Sequence, residues 1–144
     1  MTDGTGTFSA DERAAMQERA QEVKRASRRR TSREDDARDV AAKIDELAEP
    51  ERTTARRIAQ IVAEAAPELD PKTWYGMPAW SKGGRTLCFF QSAAKFRTRY
   101  ATLGFSDAAQ LDDGALWPVA YAVTDLTPEV EQRIADLVRR AARP

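Results

Sequence analysis

The chain of 144 residues contains no histidine and one cysteine, and both shortages restrict its chemistry. Histidine is the commonest general base, so its absence excludes Ser-His and Cys-His nucleophile pairs as well as imidazole ligands for zinc or iron. Any metal must instead bind to carboxylates, carbonyls or water, which favours hard cations and weak sites. A single cysteine cannot form an internal disulfide, which fits a reducing cytosol.

The chain also has no excess of either charge and no long apolar run. Its 23 basic residues balance 23 acidic ones, which is typical of a well-solvated globular surface. No run approaches the ~20 apolar residues that cross a bilayer, and residues 1–7 lack the basic and apolar regions of a signal peptide. We therefore expect a cytoplasmic protein without membrane attachment, built as one domain with an appendage.

The appendage is an N-terminal arm over residues 1–33, with eight basic and five acidic residues, whereas residues 34–49 hold two basic and seven acidic ones. Residues 9–12 (Ser-Ala-Asp-Glu) form a capping box that starts a helix. The apolar stripe of that helix is thin: Met16, Ala20, Val23. We expect the arm to be helical and to dock weakly or fray, with the basic run 24–33 as a linker or a solvated helix extension.

Beyond the arm, residues 34–144 change from helical to strand spacing. Ser32 can cap a second helix, Pro50 can start a third and Thr127 the last, and their apolar stripes fit buried faces. Strands are predicted near 73–76, 79–82, 85–91, 95–103 and 119–123. A turn at Gly83-Gly84 pairs Lys82 with Arg85, Ser81 with Thr86 and Trp80 with Leu87. This order predicts an α+β domain: an antiparallel sheet of about five strands with helices packed on one face.

The fourth predicted strand alternates between basic and other side chains. Lys95, Arg97 and Arg99 would project from one side of it, on the sheet face that helices leave open. Together with Trp74 and Trp80, this cationic face could bind a protein partner, an anionic metabolite or single-stranded nucleic acid. The alternative is the solvated side of a one-sided sheet.

A family resemblance rests on the Tyr-Gly-Met-Pro-Ala-Trp motif at residues 75–80, followed by the apolar strand 87–90 and by Lys95-Phe96. The motif resembles the signature of the YdhG-like family of small bacterial proteins, a domain of unknown function. The resemblance covers residues 40–142 and implies a frataxin-like α+β sandwich, in agreement with the element order. At least one family member is regarded as a frataxin-like iron chaperone, and most have no known activity.

The resemblance also implies a place for iron. Frataxins carry it on an acidic ridge along their first helix, and the corresponding helix here supplies four candidate carboxylates: Asp36, Asp39, Asp45, Glu46. Their oxygen atoms suit weak binding of Fe(II). From the residues alone, the interpretation we favour is an ordinary solvated helix face with an acidic first turn.

The leading interpretation is a non-enzymatic, monomeric or weakly dimeric binding protein, iron-chaperone-like or partner-binding through the cationic face. The alternative is a small-molecule binder or weak enzyme that uses an aromatic pocket around Trp74, Tyr75, Trp80 and Trp117 near the Tyr-Gly-Met-Pro corner. Nucleic-acid association through the basic arm is the weakest of these interpretations. Cys88, inside an apolar strand, is expected to be a buried structural thiol.

Overall fold

The computed structural model describes residues 9–28 and 32–144, which form five helices and a five-stranded sheet. The helices are α1 (Ala10–Arg28), α2 (Arg33–Asp45), α3 (Glu51–Ala65), α4 (Ala93–Phe96) and α5 (Pro128–Ala141). The strands are β1 (Asp70–Trp74), β2 (Met77–Lys82), β3 (Arg85–Gln91), β4 (Ala101–Phe105) and β5 (Ala120–Val123). All neighbours pair antiparallel in sequence order, so the predicted α+β class and five-stranded antiparallel sheet are confirmed.

Three helices begin at the caps that the sequence predicts. At α1, the Glu12 amide donates to Ser9 Oγ at 3.1 Å and the Ser9 amide donates to the Glu12 carboxylate at 2.8 Å. Ser32 and Asp35 form the same reciprocal box before α2, and Thr127 caps α5. Side-chain caps of this kind stabilise a helix by about 1 kcal/mol each, so these starts are fixed locally.

The core lies between the sheet and a layer made of α2, α3 and α5. Most of the buried apolar residues of these elements form one continuous cluster, to which all three predicted helix stripes contribute. Its largest fully buried members are Phe90, Ile58, Leu69, Leu87 and Leu103. Burial of such side chains contributes roughly 1.5–3 kcal/mol each, so this layer holds the domain together.

The opposite face of the sheet carries a second, smaller set of apolar side chains. Trp74 pairs with Met77 across β1 and β2, and Phe89 pairs with Gly104 across β3 and β4. Directly paired residues project to the same face of a sheet, and none of these four belongs to the core cluster. This second face is where α1 lies, in contact with β1 and α4.

The apolar stripe predicted for α1 is wrong as a docking face. Met16 and Val23 are 45% and 51% exposed, and Ala20 is also exposed. The buried residue of α1 among those described is Ala15, at 4% exposure. The helix nevertheless runs for 19 residues, and Asp11 and Glu18 form ion pairs with the domain. The run 24–33 falls partly outside the described residues, and α1 ends at Arg28.

The single strand predicted over residues 95–103 is also wrong. Ser92 caps the short helix α4, and the carboxylate of Glu51 on α3 accepts a 2.6 Å hydrogen bond from the Ser92 hydroxyl. Arg97 then adopts a left-handed conformation with φ 57°, and β4 begins at Ala101. The helical cap at Ser92 and its hydrogen bond to Glu51 override the alternation of basic and other side chains. The basic residues of this segment therefore do not share a strand face.

The β2–β3 hairpin follows the predicted turn with one change of register. Two predicted pairs are confirmed: Ser81 with Thr86, and Lys82 with Arg85. Trp80 lies opposite Cys88 rather than Leu87, because a β-bulge shifts the register between Trp80 and Ser81. Residues 106–111, between β4 and β5, form turns without helix.

Candidate functional site

A cavity of about 690 Å³ lies between the first half of α1 and the second face of the sheet. Its apolar lining comes from both sides: Ala10, Ala15, Met16, Trp74, Tyr75, Met77, Phe89, Phe96. Its polar lining is smaller: Ser9, Asp11, Glu12, Gln91, Arg97, Thr98. The cavity therefore has an aromatic floor on the sheet and a helical wall.

The aromatic floor is a set of rings held at fixed angles. The Trp74 ring lies 5.0 Å from the Tyr75 ring, edge to face, and 5.2 Å from the Phe89 ring, tilted. Gly104 lies beneath Phe89, where a Cβ atom would collide with the ring. Because that residue is glycine, the Phe89 ring can lie flat against the sheet and leave the space above it open.

The β1–β2 turn closes one end of the cavity and is tied to α1. Tyr75 and Gly76 both have positive φ, 52° and 75°, so the two form a tight turn that directs the Tyr75 ring towards α1. Lys95 Nζ donates to the Gly76 carbonyl at 3.0 Å, and the Gly76 amide donates to the Glu22 carboxylate at 3.3 Å. The glycine of the Tyr-Gly-Met-Pro motif thus makes a contact between turn and helix.

Ion pairs connect the helical wall to the rest of the molecule. Glu18 of α1 lies 2.7 Å from Lys43 of α2 and 3.2 Å from Lys95 of α4. Asp11 lies 2.8 Å from Arg97, and this pair is part of the cavity lining. The position of the α1 wall therefore depends on charged contacts with α2, α4 and Arg97.

These contacts lower the pKa of the Glu18 carboxyl group. Burial alone would raise the pKa of Glu18, but the hydrogen bonds and charges of Lys43 and Lys95 outweigh it and lower the pKa below its ordinary value. Burial lowers the pKa of Lys72 on β1, and the charge of Arg19 lowers it further. Glu18 is thus anionic at neutral pH and the ion pairs are fully formed.

Comparison of the chain with protein-family models, with curated proteins and with solved structures gives no match.

The predicted pocket aromatics divide between the two faces of the sheet. Trp74 and Tyr75 line the cavity, as the small-molecule reading requires. Trp80 is 4% exposed in the core on the opposite face, and Trp117 packs against the same core. The prediction that all four aromatic residues surround one pocket is therefore wrong. Phe89 and Phe96 line the cavity instead of Trp80 and Trp117.

The three predicted basic residues do not form one exposed face. Lys95 and Arg97 turn towards α1 and pair with Glu18 and Asp11, and Arg97 also lines the cavity. The guanidinium of Arg99 lies 5.0 Å from the Tyr100 ring centre instead. The α4 turn separates residues that an extended strand would have aligned, so the cationic sheet face is not present as predicted.

The four predicted iron ligands lie on α2 and directly after it. Asp45 pairs with Arg56 of α3 at 3.0 Å, and Glu46 lies 3.5 Å from Lys43. Within residues 9–28 and 32–144, no group of three or more His, Cys, Asp or Glu side chains is placed to hold a metal ion. Iron binding by Asp36, Asp39, Asp45 and Glu46 stays a prediction.

A second cavity, also of about 690 Å³, lies between α2 and α3 on the core side. Val40, Ile44, Val62 and Trp80 form its deep part, and its lining contains neither of the first cavity's rings Trp74 and Phe89.

Of the helices in the described ranges, none combines the length and apolarity needed to cross a membrane.

Cys88 is fully buried in β3, as the sequence predicts. Burial raises the pKa of its thiol to about 12, so it is protonated at neutral pH and closed to reagents. The thiolate is the reactive form of cysteine, and Cys88 therefore offers no nucleophile to either cavity.

Proposed function

We propose that this protein binds a small, flat, largely apolar organic molecule in the cavity between α1 and the sheet. The observation that carries the proposal is the tilted set of rings from Trp74, Tyr75 and Phe89 lining a space of about 690 Å³. Cavities of roughly 300–1,000 Å³ with apolar walls and a few polar groups are typical of small-molecule sites. Aromatic walls favour a planar ligand, which can stack on them or meet them edge to face.

We propose binding rather than catalysis as the role of this cavity. The chain has no histidine, and its one thiol is buried and protonated. Of the charged groups in the cavity lining, Asp11 and Arg97 neutralise each other, and the Glu12 carboxylate accepts a hydrogen bond from the Ser9 amide. A ligand with one polar end could hydrogen-bond to this pair while its rings contact the aromatic floor.

From the sequence resemblance we further propose that the α+β fold is of the frataxin-like kind and that the protein acts in the cytoplasm. The antiparallel sheet with α2, α3 and α5 on one face is compatible with such a sandwich. Membership of the YdhG-like family is supported by the motif at residues 75–80 alone. The iron-chaperone role that the resemblance implies is not part of this proposal, because Lys43 and Arg56 pair with Glu46 and Asp45.

The binding proposal is tested with two variants that each fill one cavity. Ala10→Trp adds bulk on the exposed α1 wall of the first cavity, and Ala63→Trp does the same in the α2–α3 cavity. The probe is 8-anilinonaphthalene-1-sulfonate, an aromatic dye that fluoresces in apolar sites, followed by a thermal-shift screen of aromatic fragments. We expect saturable binding that Ala10→Trp abolishes and Ala63→Trp retains.

A true ligand also stabilises the fold in proportion to its affinity. At a hundred times its dissociation constant, it adds about 2.7 kcal/mol to the free energy of unfolding. A flat thermal-shift screen combined with no saturable dye binding would end the proposal. Binding that is lost only in Ala63→Trp would move the site to the α2–α3 cavity.

A further inference from the structure

The face of α1 that contacts the domain is an acidic stripe. We define this acidic stripe as Asp11, Ala15, Glu18 and Glu22, spaced by four, three and four residues along the helix. Residues at that spacing lie on one side of a helix. Ala15 is buried and the three acidic side chains contact the domain. The stripe has the period of a buried apolar face but consists mainly of carboxylates.

The surface beneath the acidic stripe is correspondingly basic. Lys43 comes from α2, Lys72 from β1, and Lys95 and Arg97 from α4 and the residue after it. Lys43 and Lys95 both pair with Glu18, Arg97 pairs with Asp11, and the charge of Glu22 acts on Lys72. Three separate elements therefore present cations to one helix.

Contacts of this composition respond to salt in a way that apolar contacts do not. The paired side chains of Glu18, Lys43 and Lys95 are about one-quarter exposed, at 26%, 26% and 28%. Salt screens such partly buried pairs less than fully exposed ones, but the fall of the Debye length from about 30 Å to about 3 Å between ~10 mM and ~1 M salt still weakens their attraction. Among the α1 side chains that the structure describes, Ala15 is the buried apolar one, so little hydrophobic area compensates for the weakened attraction.

The same helix forms one wall of the cavity. The cap residue Ser9 and five residues from the first two turns of α1 line it opposite Trp74 and Phe89: Ala10, Asp11, Glu12, Ala15, Met16. We propose that α1 is a movable cover held in place by the pairing of its acidic stripe with the basic surface, and that its release, favoured by rising ionic strength, widens the access of ligand to the cavity. The ligand part of this inference rests on the proposed function, whereas the charge-held position of α1 does not.

Hydrogen exchange of the full chain tests the cover without any ligand. We expect the amides of α1 to exchange faster as salt rises from ~10 mM to ~1 M, while those of β3 in the core sheet stay unchanged. Glu18→Gln should accelerate α1 exchange at low salt by roughly threefold for each ion pair removed. Glu18→Lys, which opposes Lys43 and Lys95, should accelerate it further.

Restoring one pair separates attraction from simple damage. In Glu18→Lys combined with Lys43→Glu, the pair is present with reversed charges, so we expect slower α1 exchange than in Glu18→Lys alone. Glu68→Lys makes the same charge change at an exposed position outside α1 and should leave α1 exchange as it is. The cover is refuted if α1 exchange ignores salt, or if Glu18→Lys matches Glu68→Lys.

The rate of dye binding tests the opening itself. With 8-anilinonaphthalene-1-sulfonate as probe, we expect the association rate to rise in Glu18→Lys and to fall back when Lys43→Glu is added. An unchanged rate in a variant whose α1 exchange has increased would overturn control of entry by α1. If the dye binds no variant, the proposed function fails, and the exchange data still decide whether charge pairs hold α1.

Discussion

Gly76 occupies the point where the β1–β2 turn meets α1. Its φ of 75° lies in the left-handed region, and a Cβ atom there would collide with the carboxylate of Glu18 and with Lys95 Nζ. Both atoms are at the ends of flexible side chains, so they can move away, but only by breaking the ion pair between them. The glycine is thus required by the backbone and by the helix contact.

This double requirement can be separated with a matched pair of variants. Gly76→Ala and Gly83→Ala both place a side chain at positive φ, which costs roughly 1–2 kcal/mol, but a Cβ on Gly83 has no atom within 4 Å. We expect both variants to lose free energy of unfolding in urea titrations, and Gly76→Ala to lose more because its Cβ also disturbs the Glu18–Lys95 ion pair. Only Gly76→Ala should also accelerate hydrogen exchange in α1. Equal α1 exchange in the two variants would contradict the contact.

At the scale of elements, the sequence predicts α2, α3, α5 and the hairpins well, because their apolar periods and caps agree. It fails at α1 because the docking stripe is acidic, and apolar periodicity identifies only the exposed Met16 and Val23. Charge periodicity would have found it: Asp11, Glu18 and Glu22 share one side of the helix. It fails at residues 95–103 because a hydrogen bond from Ser92 to Glu51, distant in sequence, starts a helical turn there.

The residues that line the cavity could likewise be predicted only in part from the sequence. Trp74 and Tyr75 could be predicted as neighbours of the Tyr-Gly-Met-Pro corner, and both line it. Trp80 could not be separated from them by spacing alone, since the face of a residue depends on the tight turn at residues 75–76. Phe89 joins the site through its pairing with Gly104, which depends on the register of β3 and β4.

The acidic residues of α2 give a prediction for iron. In an anaerobic Fe(II) titration followed by amide NMR, we expect no more broadening over residues 35–49 than at the exposed loop 112–113. The physical reason is that Arg56 and Lys43 already neutralise Asp45 and Glu46. Broadening confined to residues 35–49, and removed by alanine at the four predicted ligands, would instead support the chaperone-like reading.

At the scale of the whole molecule, the lack of histidine makes stability insensitive to pH near neutrality. No side chain of this chain has an ordinary pKa between about 5 and 8. The pKa of Glu18 is lowered in the fold, so its stabilisation is present above its ordinary value of about 4.3 and is lost as the pH falls through and below it. We expect a flat free energy of unfolding from about pH 6 to 8 and a decline in acid, which urea titrations measure. Glu18→Gln should reduce that decline.

The alkaline side of this profile reports on Cys88. Its thiol has a pKa of about 12 when folded and about 8.5 when unfolded. The unfolded chain therefore releases a proton that the folded chain keeps, and stability falls as the pH rises above about 8.5. The expected slope is about 1.4 kcal/mol per pH unit, measured by urea titration from about pH 8 to 10, below most lysine and tyrosine titration.

Cys88→Ala removes the ionising group, so its profile should lack this slope. A wild-type slope equal to that of Cys88→Ala would show that the thiol ionises in the fold, and that β3 admits water to the core.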